Sequence, residues 1–180
     1  MRAFILMLLV LGLWSGMVLR LCQSQEKFSI NSLQVLENKH TCLGEGLFPE
    51  VKLNNIPSAT RSYAITLHSI QENGEEETHM VFYDLKNTVQ TINTQTINTS
   101  SLQRGQWGKN SINDRTAYSA PCEASKAYIL TVYALAKRLS PPNALTRATL
   151  EDATNSILLE KAEHKFELQQ ADNTVFVENF

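Results

Sequence analysis

A large excess of charge of either sign is missing from this chain. Its 180 residues carry 18 acidic against 16 basic side chains, a formal net charge of -2. No clustered basic surface of the kind that phosphate backbones demand is foreshadowed, which argues against a nucleic-acid binder. Cysteine is scarce: three residues are too few for a scaffold built from disulfides. Catalytic signatures are absent as well. There is no G-x-S-x-G elbow, Walker loop or dinucleotide fingerprint, and Gly44-Glu45-Gly46 lacks the third glycine and runs into Pro49. The four histidines do not form H-E-x-x-H. His40-Thr41-Cys42 is an isolated pair where zinc needs three or four convergent ligands, so no metal or other cofactor is expected.

What is present is an ordinary globular composition, 43% hydrophobic. The first segment stands apart. Met1 to Leu21 holds no acid, an early base at Arg2 and an apolar run from Ala3 to Trp14 that continues through Val18 and Leu19. This reads as a secretory signal peptide over residues 1–24, cut between Ser24 and Gln25. An uncleaved anchor is the rival, although Arg20 interrupts the apolar stretch before the roughly 20 residues that a spanning helix needs. Cleavage removes Arg2, Arg20 and Cys22, leaving 14 bases against 18 acids, a charge of -4, and the cysteine pair Cys42 and Cys122. In the secreted or periplasmic compartment that the leader implies, such a pair is expected to be bridged; two buried free thiols are the alternative. Residues 25–180 make one domain, long enough to bury roughly 68–70% of its unfolded surface.

Four stretches read as strands. Ser62 to His68 alternates Tyr63, Ile65 and Leu67 against Ala64, Thr66 and His68, and Thr78 to Leu85 sets Met80 and Phe82 against Val81 and Tyr83, so both are expected to be half buried. Ala127 to Leu135 is apolar on both faces and suits a central strand, and Lys161 to Leu168 alternates charge with Ala162, His164, Phe166 and Leu168. Between the first two, Gln71 to Glu77 combines an Asn-Gly turn with an acidic run, the composition of a solvated hairpin loop. The helix signal is confined to the last third. Thr149-Leu150-Glu151-Asp152 has the form of a capping box, followed by apolar positions at Ala153, Ile157 and Leu158. Asn87 to Ser119 is polar, contains the tandem repeat 90–94 and 95–99 and the sequon Asn98-Thr99-Ser100, and is expected to be a long loop rimming a site.

Three segments, in this order and spacing, resemble the phosphatidylethanolamine-binding protein family, and most closely its bacterial and archaeal Raf-kinase-inhibitor-like branch. Thr41-Cys42-Leu43-Gly44-Glu45-Gly46-Leu47-Phe48-Pro49-Glu50-Val51, with Asn55-Ile56-Pro57 and Arg61-Ser62-Tyr63-Ala64, is similar to that family's T-C-x-G-x-x-x-S-P-x-L, x-x-P and K-S-F-A. Thr78-His79-Met80-Val81-Phe82-Tyr83-Asp84-Leu85 is similar to H-W-V-x-Y-N-I. Gly108-Lys109-Asn110, Tyr118-Ser119-Ala120-Pro121-Cys122 and Tyr128 to Leu135 are similar to G-x-N, Y-G-G-P-C-P-P and H-R-Y-x-F-x-x-Y-A-L. The resemblance implies a mainly β fold, a Greek-key β-sandwich with a few peripheral helices, and a small anion-binding pocket at one end.

The pocket carries over in part. His79 stands where the family has its first pocket histidine, Lys126 where the second would be, and Tyr118 and Pro121 match the rim, whereas Ser69-Ile70-Gln71-Glu72-Asn73 replaces the family's D-P-D-A-P turn. Two carboxylates lost and an imidazole exchanged for an ammonium imply a more positive pocket. Without the aspartates to orient it, His79 is free to pack under Phe82 and Tyr83. The expected function is an exported, non-catalytic binding or regulatory protein taking a small anion or phospholipid head group. The alternative is a protein-interaction scaffold of the same fold with a vestigial pocket. Neither reading calls for nucleic acid or for stable membrane insertion after cleavage.

Overall fold

The computed structural model describes residues 26–98 and 105–169. The leader, most of the sequon and the last eleven residues lie outside them. Among the described residues nine strands form two sheets: β1 (Ser29–Ser32), β2 (Val35–Leu36), β3 (Val51–Asn54), β4 (Ser62–Ile70), β5 (Glu76–Lys86), β6 (Thr91–Ile92), β7 (Gln106–Trp107), β8 (Ala127–Leu135) and β9 (Leu158–Leu168). The larger sheet runs β2-β9-β8-β4-β5-β7 and the smaller β1-β3-β6. Two short α-helices, α1 (Thr94–Asn98) and α2 (Arg147–Thr154), and a 3-10 turn (Asn38–His40) complete the described fold.

Strand alternation builds the sandwich. β4 and β8 pair without a break from Ser62↔Leu135 to Ile70↔Ala127, so the side-chain period of two holds along both and sorts residues cleanly between faces. Tyr63, Ile65, Leu67, Leu130 and Val132 turn to one side, where they meet Val51, Leu53 and Ile92 of the smaller sheet. Ala64, Tyr133 and Leu135 turn to the other and pack with Val81, Tyr83 and Leu150 of α2. The expectation that β4 and β5 are half buried is therefore corrected. Both are covered on two faces, because α2 and its flanking loop lie on what the alternation suggested was a solvent side. Full burial of Leu150 alone stabilises this second layer by about 1.5–3 kcal/mol.

The helix begins earlier than the sequence reading placed it. Thr146 is its N-cap: its hydroxyl accepts from the Thr149 amide while the Thr149 hydroxyl accepts from the Thr146 amide. The reciprocal cap thus belongs to Thr146 and Thr149, and Ile157 and Leu158 fall beyond the helix, with Leu158 opening β9.

Two irregularities interrupt β5. Tyr63 faces Leu85 but Ile65 faces Phe82, so β5 holds one extra residue there, with Asp84 at φ 59°. Leu67 faces Met80 but His68 faces Thr78, which leaves His79 as a second unpaired insertion. Bulges bend a strand and re-aim its side chains.

Candidate functional site

Plain alternation would send His79 to the face opposite Met80. The bulge cancels that step. His79 lies edge-on to Tyr128, ring centroids 5.2 Å apart, and its Nε2 is 3.0 Å from the hydroxyl of Ser69, which shares a β4 face with Leu67 by the unbroken register. It does not pack beneath Phe82 and Tyr83 as expected without the aspartates. Its Nδ1 lies 3.0 Å from the carbonyl of Ser119, and since a carbonyl only accepts, Nδ1 carries the proton and Nε2 accepts from Ser69 in the neutral ring. His79 is buried, and burial, the largest influence, holds its pKa below the ordinary value.

The opposite wall is the segment from Tyr118 to Lys126, which has no regular structure and is pinned from three directions. Ser119 donates its amide to the His79 carbonyl at 2.9 Å, and the Pro121 carbonyl accepts from the Cys42 amide at 2.9 Å. Cys42 and Cys122 form the expected disulfide, with Cα atoms 5.2 Å apart. The Tyr128 hydroxyl accepts from the amides of Cys122 and Glu123 and donates to the Glu123 carbonyl. Tyr118 stands edge-on to Phe48, centroids 5.5 Å apart. Its hydroxyl is buried with no hydrogen-bond partner, and burial raises its pKa.

Lys126 closes this end of the sheet. Its Nζ lies 2.7 Å from Glu77 Oε2 and 2.7 Å from Glu123 Oε1, with the side chain 11% exposed. The bonds to Glu123 and then Glu77 push the ammonium pKa up, and the bond to Lys126 holds Glu77 below its usual value. Each partner thereby stabilises the other's charge. The expectation of a more positive site is corrected by this arrangement: one ammonium sits between two carboxylates beside a neutral imidazole, so the cluster is slightly acidic. Glu77 was read as part of a solvated loop. Pairing of β5 with β4 already includes Glu76 and Glu77, and that places Glu77 within reach of Lys126.

All four anticipated residues, His79, Tyr118, Pro121 and Lys126, border one end of the sandwich. Sequence reasoning missed Ser69, Glu77, Glu123 and Tyr128. Ser69 was visible as the first residue of the segment that replaces the family's acidic turn; nothing in the residues flagged the two glutamates. Among the described residues no group of His, Cys, Asp or Glu could hold a metal ion, and no helix is long and apolar enough to cross a membrane.

The fold has known counterparts. The phosphatidylethanolamine-binding protein homolog CT736 of Chlamydia trachomatis superposes with a TM-score of 0.69 at 18% identity, over 81% of this chain and 99% of that one. YbcL of Escherichia coli, a member of the PEBP family, gives 0.67 at 17% identity over 81% of this chain and 100% of its own. A search of curated proteins by sequence finds no significant match. The model of the phosphatidylethanolamine-binding protein family, however, matches residues 25–169, and together with the bulged His79, the braced wall from Tyr118 to Lys126 and the shared sandwich, this match shows that the chain belongs to that family.

Proposed function

We propose that the protein is an exported, non-catalytic binding or regulatory member of its family, and that its pocket end takes a zwitterionic phospholipid head group in preference to a bare anion. The observation that carries this is Lys126 held between Glu77 and Glu123, 2.7 Å from each. An inorganic phosphate approaching that ammonium meets two carboxylates and gains little. A head group that carries its own ammonium beside its phosphate can give the phosphate to Lys126 and the ammonium to a displaced glutamate, so that no charge is left unpaired. Tyr118 brings a buried hydroxyl that is still unspent. The family name points to the same ligand class. The Ser69 hydroxyl that donates to His79 is itself fully buried, away from an approaching substrate, which supports a binding role over nucleophilic chemistry.

Calorimetric titration decides the matter. Phosphoethanolamine is expected to bind at least about tenfold more tightly than inorganic phosphate, the equivalent of one charge-assisted contact. Equal affinities would refute the zwitterion reading. A second reading, a protein-interaction scaffold with a vestigial pocket, draws on the same internal bonding of His79; absence of heat with both ligands at millimolar concentration would establish it instead. Export is checked by sequencing the N-terminus of the secreted or periplasmic protein, which is expected to begin near Gln25.

A further inference from the structure

The two sides of the larger sheet are finished differently. Beyond β5 the loops close the sheet, with the amides of Gly108, Ser111 and Ser119 bonding the carbonyls of Val81, Thr78 and His79. Beyond β9 the cover is short. β2 pairs only with Glu167 and Leu168 of its 11 residues, and the Glu167 amide donates to the Gln34 carbonyl at 2.9 Å. Since hydrogen bonding along a strand alternates between its two sides, the amides and carbonyls of Lys161, Glu163 and Lys165 point to that same outer side while the residues between them bond β8. Among the described residues no backbone group meets these three there. Space lies beside them: a groove of about 420 Å³ between Phe28–Ile30 and Lys161–Glu163, and another of about 360 Å³ between Gln34–Val35 and Glu163–Lys165. A row of unpaired amides and carbonyls is a template for one more strand.

The charges on this edge select the strand that fits. Lys161, Glu163, Lys165 and Glu167 stand exposed on one face of β9, and neighbours of opposite sign are paired, Lys161 to Glu163 at 3.0 Å and Lys165 to Glu167 at 3.1 Å. An edge of one sign would repel every copy of itself, whereas alternating signs repel in some registers and attract in others. Consider two copies of β9 laid antiparallel about a two-fold axis. An axis at Lys161 or at Glu163 sets that residue against itself, like charge on like. An axis at His164 matches every charge but needs the amide of Glu167, which Gln34 already holds. An axis at Ala162 remains. It sets Lys161 against Glu163 of the second copy twice over, and on the other face Glu160 against His164, with the smallest side chain of the stretch at the centre. Residues with outward amides then face residues with outward amides, as a hydrogen-bonded pair requires. In this register Leu158 of one copy comes end to end with Val35 of the other along the same edge, and these are two side chains left 36% and 48% exposed in the single chain. The surface is complementary to itself, the condition for a closed two-fold pair.

We infer that β9 is a homodimerisation strand: two copies of the chain pair β9 to β9, antiparallel about a two-fold axis at Ala162, and join their larger sheets into one. The inference is independent of what the pocket end binds. Sedimentation equilibrium of the purified protein tests it together with a charge exchange. Lys161→Glu and Glu163→Lys each turn both Lys–Glu contacts across the axis into like-charge contacts, so each variant alone is expected to dissociate at least about tenfold more readily than the parent. An equal mixture of the two variants restores both contacts and is expected to dimerise as the parent does, a rescue that damage to the fold could not produce. Hydrogen exchange adds the location: the amides of Lys161, Glu163 and Lys165 should be protected in concentrated protein and lose that protection on dilution. A parent that stays monomeric at about 0.5 mM, weaker than which no specific pairing is claimed, would overturn the inference. So would a dimer that the single variants leave unchanged, a mixture that fails to recover it, or exchange at these three amides that does not depend on concentration.

Discussion

His79 and Ser119 hold each other twice, once through the Ser119 amide on the His79 carbonyl at 2.9 Å and once through His79 Nδ1 on the Ser119 carbonyl at 3.0 Å. This pair of hydrogen bonds fixes both the position and the tautomer of the ring. It also joins β5 to the irregular wall without using any side chain of that wall.

Releasing Lys126 should alter what the site prefers. Glu77→Gln removes one of the two carboxylates that occupy Nζ, so affinity for inorganic phosphate is expected to rise by about tenfold, as for a gained charge-assisted contact. Lys126→Ala should abolish that gain. Calorimetry on the two variants and their combination measures the effect, and an unchanged phosphate affinity in Glu77→Gln would show that the ammonium does not face the ligand.

Acid should weaken the fold through His68. This side chain is buried on the α2 face of the sheet with its Nδ1 unpartnered, and burial, reinforced by Arg147 and slightly by His79, lowers its pKa to about 4 despite Glu151 and Glu163 nearby; Glu76 lies 4.0 Å from Nε2. A folded-state pKa below the unfolded value of about 6.5 means that the unfolded chain binds the proton first. The His68 contribution is therefore intact above pH 6.5 and lost as pH falls toward 4, on the order of 2–3 kcal/mol. His68→Gln should flatten that part of the stability curve, measured by urea unfolding between pH 7 and pH 4; an identical slope in the variant would assign the acid loss elsewhere.

The Cys42–Cys122 bridge, its ends 80 positions apart in sequence, should contribute about 2–5 kcal/mol. Cys122→Ser is expected to lower the denaturation midpoint accordingly while leaving far-ultraviolet circular dichroism unchanged. Peptide mapping of the purified protein without reductant should recover the two cysteines in one linked fragment, and recovery of both as alkylated thiols would contradict the bridge.

Asp84 offers a test of the first bulge. It holds φ 59° and receives Arg138 on both carboxylate oxygens, at 2.7 and 2.5 Å. Asp84→Asn keeps a residue that tolerates the left-handed region, whereas Asp84→Val adds a β-branched side chain that resists it and also removes the pair. The valine variant should therefore lose at least about 1 kcal/mol more than the asparagine variant, read from paired chemical-denaturation curves. Equal losses would mean that the ion pair, and not the backbone, governs this position.

The sandwich was legible where alternation runs uninterrupted. Ala127 to Leu135 was placed to the residue, and the strand at Ser62 was found with its faces sorted correctly. Burial was harder to read, because Ala64, Thr66 and Val81 are small or polar enough to suggest solvent while a distant helix covers part of that face. The site was legible as a set of positions, since His79, Tyr118, Pro121 and Lys126 sit in recognisable segments. Its charge was not. Period-two reading cannot anticipate a bulge that adds one residue at His79, and no local pattern announces that Glu77 and Glu123, far apart in sequence, meet on one ammonium.

The parallel pairing of β2 with β9, Val35 beside Glu167 and Leu36 beside Leu168, has a kinetic consequence. An early segment of the chain completes an edge whose partner is among the last residues of the domain to be synthesised, so the outer sheet cannot close until Leu158–Leu168 has emerged. Contacts this far apart in sequence are slow to form. During synthesis the N-terminal part thus waits without its partner strand.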